Sequence, residues 1–560
     1  MQSTKMHVFK AFLCLILVVC ILTLTSCTLL SQVFDLLTLE NRGYYTDYGI
    51  SPELTDNYNE ETEKKIESAL LEMEEILREN NGSKAEYFLD VYDELEENYY
   101  ILSDHCDLLY IAFCNEPQNE EIVEEYGRIS ALLTDLLAEI YSFYGDIFES
   151  VFSEEFYKDW SQESIEEALF LSKTFSGEFA VITKERDEYV RFYEQLDSDS
   201  PDYNKESAEY YQKIVEKNRE LAILAGAEDY PDYADRYIYG RDYGDEEIQV
   251  FVDAVSEYII PLGEELQQAL YASSNGLSLQ TEFNKLQQYD ISFDLMKQSL
   301  KDYYALLGEE FTASFESFLK HTFTCKDDDS TKGAFTAYQN SSNTPICYFG
   351  PGYQSLSTYV HEQGHFTAFY LSETSISSVD LCETHSQGNE WLYLSYAESF
   401  YDEELYEELT AYYLLSEIST IVLATCCDTF ERTVYADESL SASDYDRVFV
   451  DCAKELGAYS LLKNYLGDTP EDYWHIAVIS NSMYYLSYAV SLIPSIEFFI
   501  IAQQDGFSRA AECYYDLCTV DGEALFHESL LEAGLSSPFE NVVFIKIYGF
   551  FSKKPVKESF

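Results

Sequence analysis

Basic residues are scarce in this chain of 560 residues. Lysine and arginine number 34 against 103 aspartates and glutamates, a formal charge of −69. No basic surface emerges from that balance, so nucleic acid is excluded as a partner. Glycine (23) and proline (11) are also few, which rules out collagenous and low-complexity chains. No C-x-x-C string occurs, and the cysteine spacings match no zinc-thiolate site. Histidine is rare, eight in all, whereas tyrosine (50) and phenylalanine (36) are abundant. Acidic disordered chains are poor in aromatics, so a large folded core is expected. Few helix breakers among many Glu, Leu, Ala and Tyr predict a mostly α fold.

The first segment gives a destination. Lys5 and Lys10 precede an uncharged apolar run, AFLCLILVVCILTLTS, which ends before Cys27. Basic, then apolar, then a small residue is the order of an export signal. Leu24-Thr25-Ser26-Cys27 resembles the lipobox of bacterial lipoproteins. That resemblance implies a signal peptide over 1–26, cleavage before Cys27, and a lipid on Cys27 that anchors the chain to the bacterial cell membrane. Residues 27–50 then form a tether. A signal-anchor helix is the alternative, and both place the remainder outside the cytoplasm. Ile418–Cys427 is too short for a second span and Ser491–Ala502 is broken by Pro494 and Glu497, so both read as buried helices. Ten cysteines follow Cys27, either as buried thiols or as disulfides; Cys426 and Cys427 are adjacent, and Cys513 and Cys518 are close.

Beyond the tether, an N-terminal helical region spans 51–200 and a second region spans 201–560. Pro52, with Glu53 and Asp56 behind it, predicts a helix start. Ile66, Leu70, Met73 and Leu77 recur at helical spacing, and Asn81-Gly82 ends that helix. Asp197–Asp202 is a break, Glu206–Leu224 a helix, and Tyr230–Tyr243 a stretch rich in Tyr and Asp. Near residue 325 the pattern changes. Lys326–Asp329 reads as a turn, and Lys332–Tyr338 and Pro345–Phe349 as two short strands. A helix is expected after Gly352, through residue 370. Lys546, Lys553, Lys554 and Lys557 make a basic tail.

That helix carries His361-Glu362-Gln363-Gly364-His365. Positions i and i+4 share a helix face, so two imidazoles there can bind one zinc ion. Glu362 lies beside the first histidine and can act as general base toward a metal-bound water. Gly364 costs about 1 kcal/mol inside a helix, which predicts close approach of another backbone. A third ligand must come from downstream, where Glu373, Glu383, His385 and Glu390 are candidates. Glu383 is favoured, on a helix capped by Asp380 and running to about Leu405. Asp380 or Glu390 then accepts an imidazole N–H, and His385 points away.

These residues resemble the thimet-oligopeptidase and oligoendopeptidase F family of zinc peptidases. His361–His365 matches its His-Glu-x-Gly-His, Asp380-Leu381-Cys382-Glu383 its Asp-x-x-Glu, and Ser386-Gln387 with Glu390 its Ser-Gln-x-x-Glu. Lys332-Gly333-Ala334-Phe335 is similar to the strand beside the family's substrate cleft. Glu383 follows His365 by 18 residues, fewer than in many members, so the connecting loop is expected to be short. The resemblance implies a two-lobed helical ellipsoid with a deep central cleft and a small β-sheet near the motif helix. It implies zinc held by His361, His365 and Glu383, Glu362 as base, and 201–560 as the catalytic domain. It also implies endopeptidase action on oligopeptides, here extracellular ones. Trp474-His475 and Met483–Ala489 match a region where the family carries a histidine and clustered tyrosines that donate to the oxyanion. His475 and Tyr485 carry over as catalytic, with Tyr484 the alternative and Tyr488 a packing residue. A zinc exopeptidase on the same scaffold and a non-catalytic peptide-binding lipoprotein are the competing readings.

Overall fold

The computed structural model describes residues 56–158, 160, 162–174, 177–197, 200–273, 293–324, 333–351, 356–399, 403–467, 469–522 and 524–552. The export segment, Cys27, the tether, Pro52, the Lys326–Asp329 turn, Lys332 and the three lysines from Lys553 on lie outside them.

The protein is predominantly helical, as its composition predicts. Helices α1 to α4 (Glu60–Glu79, Ala85–Asn115, Glu120–Glu149 and Gln162–Thr174) build the N-terminal part. The first helix begins later than Pro52 suggests. Asn59 caps it, accepting a hydrogen bond from the Glu61 amide at 3.0 Å, while Asp56 precedes it and takes the His105 imidazole at 2.9 Å. Its apolar stripe, Ile66, Leu70 and Met73, is buried, and Leu77 packs at the edge. These helices close around one core, with Tyr99, Tyr141, Tyr144 and Phe156 inside.

A second, larger core runs from Phe179 to Phe551, and Phe170 touches both. Its helices are α5 (Glu178–Glu194), α6 (Tyr203–Ala225), α7 (Asp245–Ala254), α8 (Ile260–Ser273), α9 (Phe293–Leu307), α10 (Glu309–Phe318), α11 (Leu356–Ser372), α12 (Val379–Ala397), α13 (Glu403–Ala436), α14 (Tyr445–Glu455), α15 (Tyr459–Leu466), α16 (Leu486–Gln504), α17 (Phe507–Cys518), α18 (Phe526–Glu532) and α19 (Asn541–Phe551). Both α13 and α16 contain stretches long and apolar enough to cross a membrane, yet they lie buried in this core. Cysteines described here are free thiols, the Cys426/Cys427 and Cys513/Cys518 pairs included.

A small sheet joins the two parts. It has the order β1 (Thr322–Thr324), β3 (Thr344–Phe349), β2 (Ala334–Gln339); β2 and β3 form an antiparallel hairpin, and β1 runs parallel to β3. The sequence indicates the hairpin but not β1, which is three residues long. Successive side chains on a strand face opposite ways, and β2 uses both faces. Phe335 and Ala337 pack against Tyr110, Ile111 and Cys114 of α2. Ala334 and Tyr338 turn into the larger core, and Thr336 lies on that same side.

Two helices then position the site. Ser378, rather than Asp380, caps α12, accepting from the Leu381 amide at 3.3 Å. A Cβ on Gly364 would sit 2.6 Å from the His385 carbonyl oxygen and from Ser386 Cα. Glycine is therefore what lets α11 and α12 touch backbone to backbone, which explains its cost in a helix interior.

Candidate metal centre

On α11, His361 and His365 stand one turn apart, and Glu383 reaches them from α12. One donor atom from each lies within 4.8 Å of the others; among the described residues this is the group of three or more His, Cys, Asp or Glu side chains able to hold a metal ion. His361 Nε2 is 3.9 Å from Glu383 Oε2. Its other nitrogen, Nδ1, donates to Glu390 Oε1 at 2.7 Å, and Tyr413 donates to Glu390 Oε2 at 2.8 Å. The ring is thereby turned so that Nε2 faces Glu383, the arrangement by which an outer carboxylate orients a ligand. His385 points away, as its position on α12 predicts, with Nε2 donating to the Leu517 carbonyl at 2.9 Å.

The electrostatics fit a cation. Burial by itself lowers the His361 pKa, but the Glu390 hydrogen bond and the charges of Glu390, Glu362 and Glu383 outweigh it and lift the value to about 9. Burial raises Glu383 to about 7 against the pull of His361 and Tyr484. Burial, with His361 and His385 nearby, holds His365 well below the usual imidazole range. Carboxylates crowded around two imidazoles stabilise positive charge there, whether it arrives as a proton or as a metal ion. Two imidazoles and one carboxylate are the donor set of a zinc site that keeps a coordination position open.

Glu362 is fully buried beside His361. Its Oε2 accepts from Thr336 Oγ1 at 2.7 Å, and its main-chain carbonyl lies 3.1 Å from the same hydroxyl. Strand β2 thus aims the carboxylate that α11 carries.

Tyr484 donates to Glu383 Oε1 at 3.0 Å. Tyr485 packs behind it, edge-on to Tyr484 and Tyr488. His475 lies in another cluster, stacked on Trp474 with ring centroids 3.8 Å apart, its Nε2 3.1 Å from Asp446 Oδ1. Among the described residues, Tyr485 and His475 make no hydrogen bond to Glu362 or the three candidate ligands. The structure therefore brings together Glu362, His361, His365 and Glu383 and adds Tyr484, while Tyr485 and His475 are not hydrogen-bonded to that group. Sequence reasoning missed Thr336 and Tyr413. Strand register would have placed Thr336 on the face toward α11; nothing local marks Tyr413 among 50 tyrosines.

With this geometry in view, the likeness to solved structures gains a chemical context. PZ peptidase A, solved with an inhibitor, superposes with a TM-score of 0.73 at 16% identity, over 92% of this chain and 100% of that one. A protein assigned as oligoendopeptidase F from Bacillus anthracis gives 0.68 at 18% identity, over 89% and 96%. Oligoendopeptidase F from Enterococcus faecium gives 0.54 at 14%, over 89% and 98%. This chain has their fold. Comparison with protein-family models and with curated proteins gives no match. The oligoendopeptidase fold extends over nearly the whole chain, so the N-terminal helices, for which the sequence offers only acidic helical character, are part of it.

Proposed function

We propose that the protein is a zinc peptidase that cuts short peptides outside the cytoplasm, held at the bacterial membrane through a lipid on Cys27. The observation that carries the reading is the convergence of His361, His365 and Glu383 with a buried glutamate, Glu362, next to the first of them, on a fold shared with peptidases. His361 and His365 as neutral imidazoles and Glu383 as carboxylate would hold the ion. A zinc ion bound there supplies Lewis acidity, which acidifies water and polarises a carbonyl.

The chain's own residues do the rest. Glu362 takes the proton of the attacking water and later delivers it to the departing amide nitrogen. Thr336 fixes the carboxylate by donating to Oε2. Glu390 keeps His361 in the tautomer that presents Nε2. Tyr484 holds Glu383.

Digestion of a mixed peptide library, read by mass spectrometry, tests this. The wild type cleaves internal bonds of short peptides, and removal of zinc by a chelator ends the cleavage. Glu362→Gln keeps one bound zinc and loses the activity. Peptide turnover unchanged in E362Q sinks the reading; release of single terminal residues only would make the enzyme an exopeptidase.

A further inference from the structure

The Tyr230–Tyr243 stretch, conspicuous in sequence, contacts both the Ser482–Tyr484 turn and α12, and it carries a buried arginine. Arg241 is wholly enclosed. Its Nη1 pairs with Asp235, and its Nη2 donates to the Met483 carbonyl at 2.8 Å and to Ser487 Oγ at 3.0 Å, with the Tyr484 carbonyl 3.5 Å away. The two carbonyls belong to the turn that presents Tyr484 to Glu383. The turn is strained: Met483 has φ +66°, a left-handed conformation that a long side chain rarely adopts. Two more buried groups hold it. The Met483 amide donates to Glu431 Oε2 at 2.9 Å, and Tyr239 donates to the Ser482 carbonyl at 2.6 Å. From the same stretch, Tyr243 donates to Asp380 Oδ2 at 2.9 Å, one turn before Glu383 on α12.

We propose that Arg241 is a positioning residue for the metal centre, clamping the Met483–Tyr484 turn so that the Tyr484 hydroxyl holds Glu383 in place as a ligand. The assignment rests on the metal-site reading above. A planar guanidinium serves three acceptors in fixed directions at once; a lysine ammonium cannot reproduce that fork. The strained turn relaxes when the clamp goes, Tyr484 swings off Glu383, and the carboxylate loses its fixed orientation. Removing a partner that orients a ligand weakens metal binding about tenfold or more.

The test is a double-mutant cycle read as zinc affinity, by competition with a chromophoric chelator on the full chain. Tyr484→Phe and Arg241→Lys each weaken zinc binding by about tenfold, and the double variant binds no more weakly than the worse single one, because both changes break the same linkage. Losses that multiply in the double variant, or an Arg241→Lys protein that melts lower yet binds zinc as the wild type does, overturn the proposal. If Arg241→Lys does not fold, Tyr239→Phe, which removes only the hydroxyl on Ser482, takes its place in the cycle with the same expected non-additivity. A wild type that binds zinc but cuts no peptide defeats the peptidase reading and leaves this one standing. A wild type that binds no zinc defeats both.

Discussion

The proposed mechanism needs the Glu362 carboxylate to be aimed, and the hydrogen bond that aims it comes from Thr336 on a different element. A hydrogen bond to a charged group contributes roughly 1.5–3 kcal/mol, which in a transition state is worth about tenfold to a hundredfold in rate. Thr336→Val keeps the shape of the side chain and removes the hydroxyl. It is expected to lower kcat by about tenfold to a hundredfold with KM and zinc content near those of the wild type, and Thr336→Ser restores most of the rate. Steady-state kinetics with metal analysis checks this, and an unchanged kcat in Thr336→Val means that Glu362 is oriented by something else. The contrast between these two residues also shows what a sequence reveals at this scale. Glu362 is legible because helical spacing alone ties it to His361 and His365. Thr336 is only half legible: alternation along β2 gives its face, but its partner lies 26 residues away and nothing local names it. Glu390 falls between: it appears as a candidate from spacing along α12, but its role comes from a contact between helices. Arg241 left one trace, a rare cation in an acidic, tyrosine-rich stretch.

Elements matter here through what they bring together, and the β2–β3 hairpin is the clearest case. One face supplies Thr336 to the site while the other packs on α2. The hairpin's tip is fastened to that helix by Asp104, whose carboxylate accepts from the Asn340 amide at 2.9 Å, the Ser341 amide at 2.8 Å and Ser341 Oγ at 2.5 Å. Burial pushes Asp104 from 3.8 to about 7 despite those donors, and Asp107 beside it, which accepts from Gln339 at 3.0 Å, is raised by burial and by Asp104. The sign follows from linkage. Between 3.8 and about 7 the folded protein keeps a proton on Asp104 that the unfolded chain has released, so this group's contribution to stability is full below that window and is lost as pH rises through it. The melting temperature of Asp104→Asn is therefore expected to fall less between pH 5 and pH 8 than that of the wild type; equal slopes in thermal melts show that the fastening does not titrate. The hairpin itself was readable from turn residues between two β-rich runs. The helix it is fastened to was readable as a helix, but the fastening was not, since nothing in a local pattern says which acids among 103 become buried.

At the scale of the whole molecule the excess of acid is divided between two environments. Buried acids are compensated where a cation is at hand: Arg432 Nε donates to Asp428 at 3.0 Å and its Nη2 to Asp235 at 2.9 Å, and Arg241 closes the same network. With 34 cations for 103 acids, the surface keeps a strong negative field, which long α1, α2 and α3 display along their exposed sides. Such a field raises the encounter rate of cationic ligands and acts over a distance set by salt. The Debye length falls from about 30 Å at 0.01 M to about 8 Å at 0.15 M ionic strength. Two peptides of one length and one cleavage sequence, differing only in lysines or glutamates placed away from the cut bond, separate the field from the pocket. In the low-salt buffer kcat/KM is expected to favour the lysine peptide, and the ratio falls toward one at the higher salt while the glutamate peptide gains. A preference that salt does not change belongs instead to direct contacts around the scissile bond, because only a long-range attraction is screened over that range.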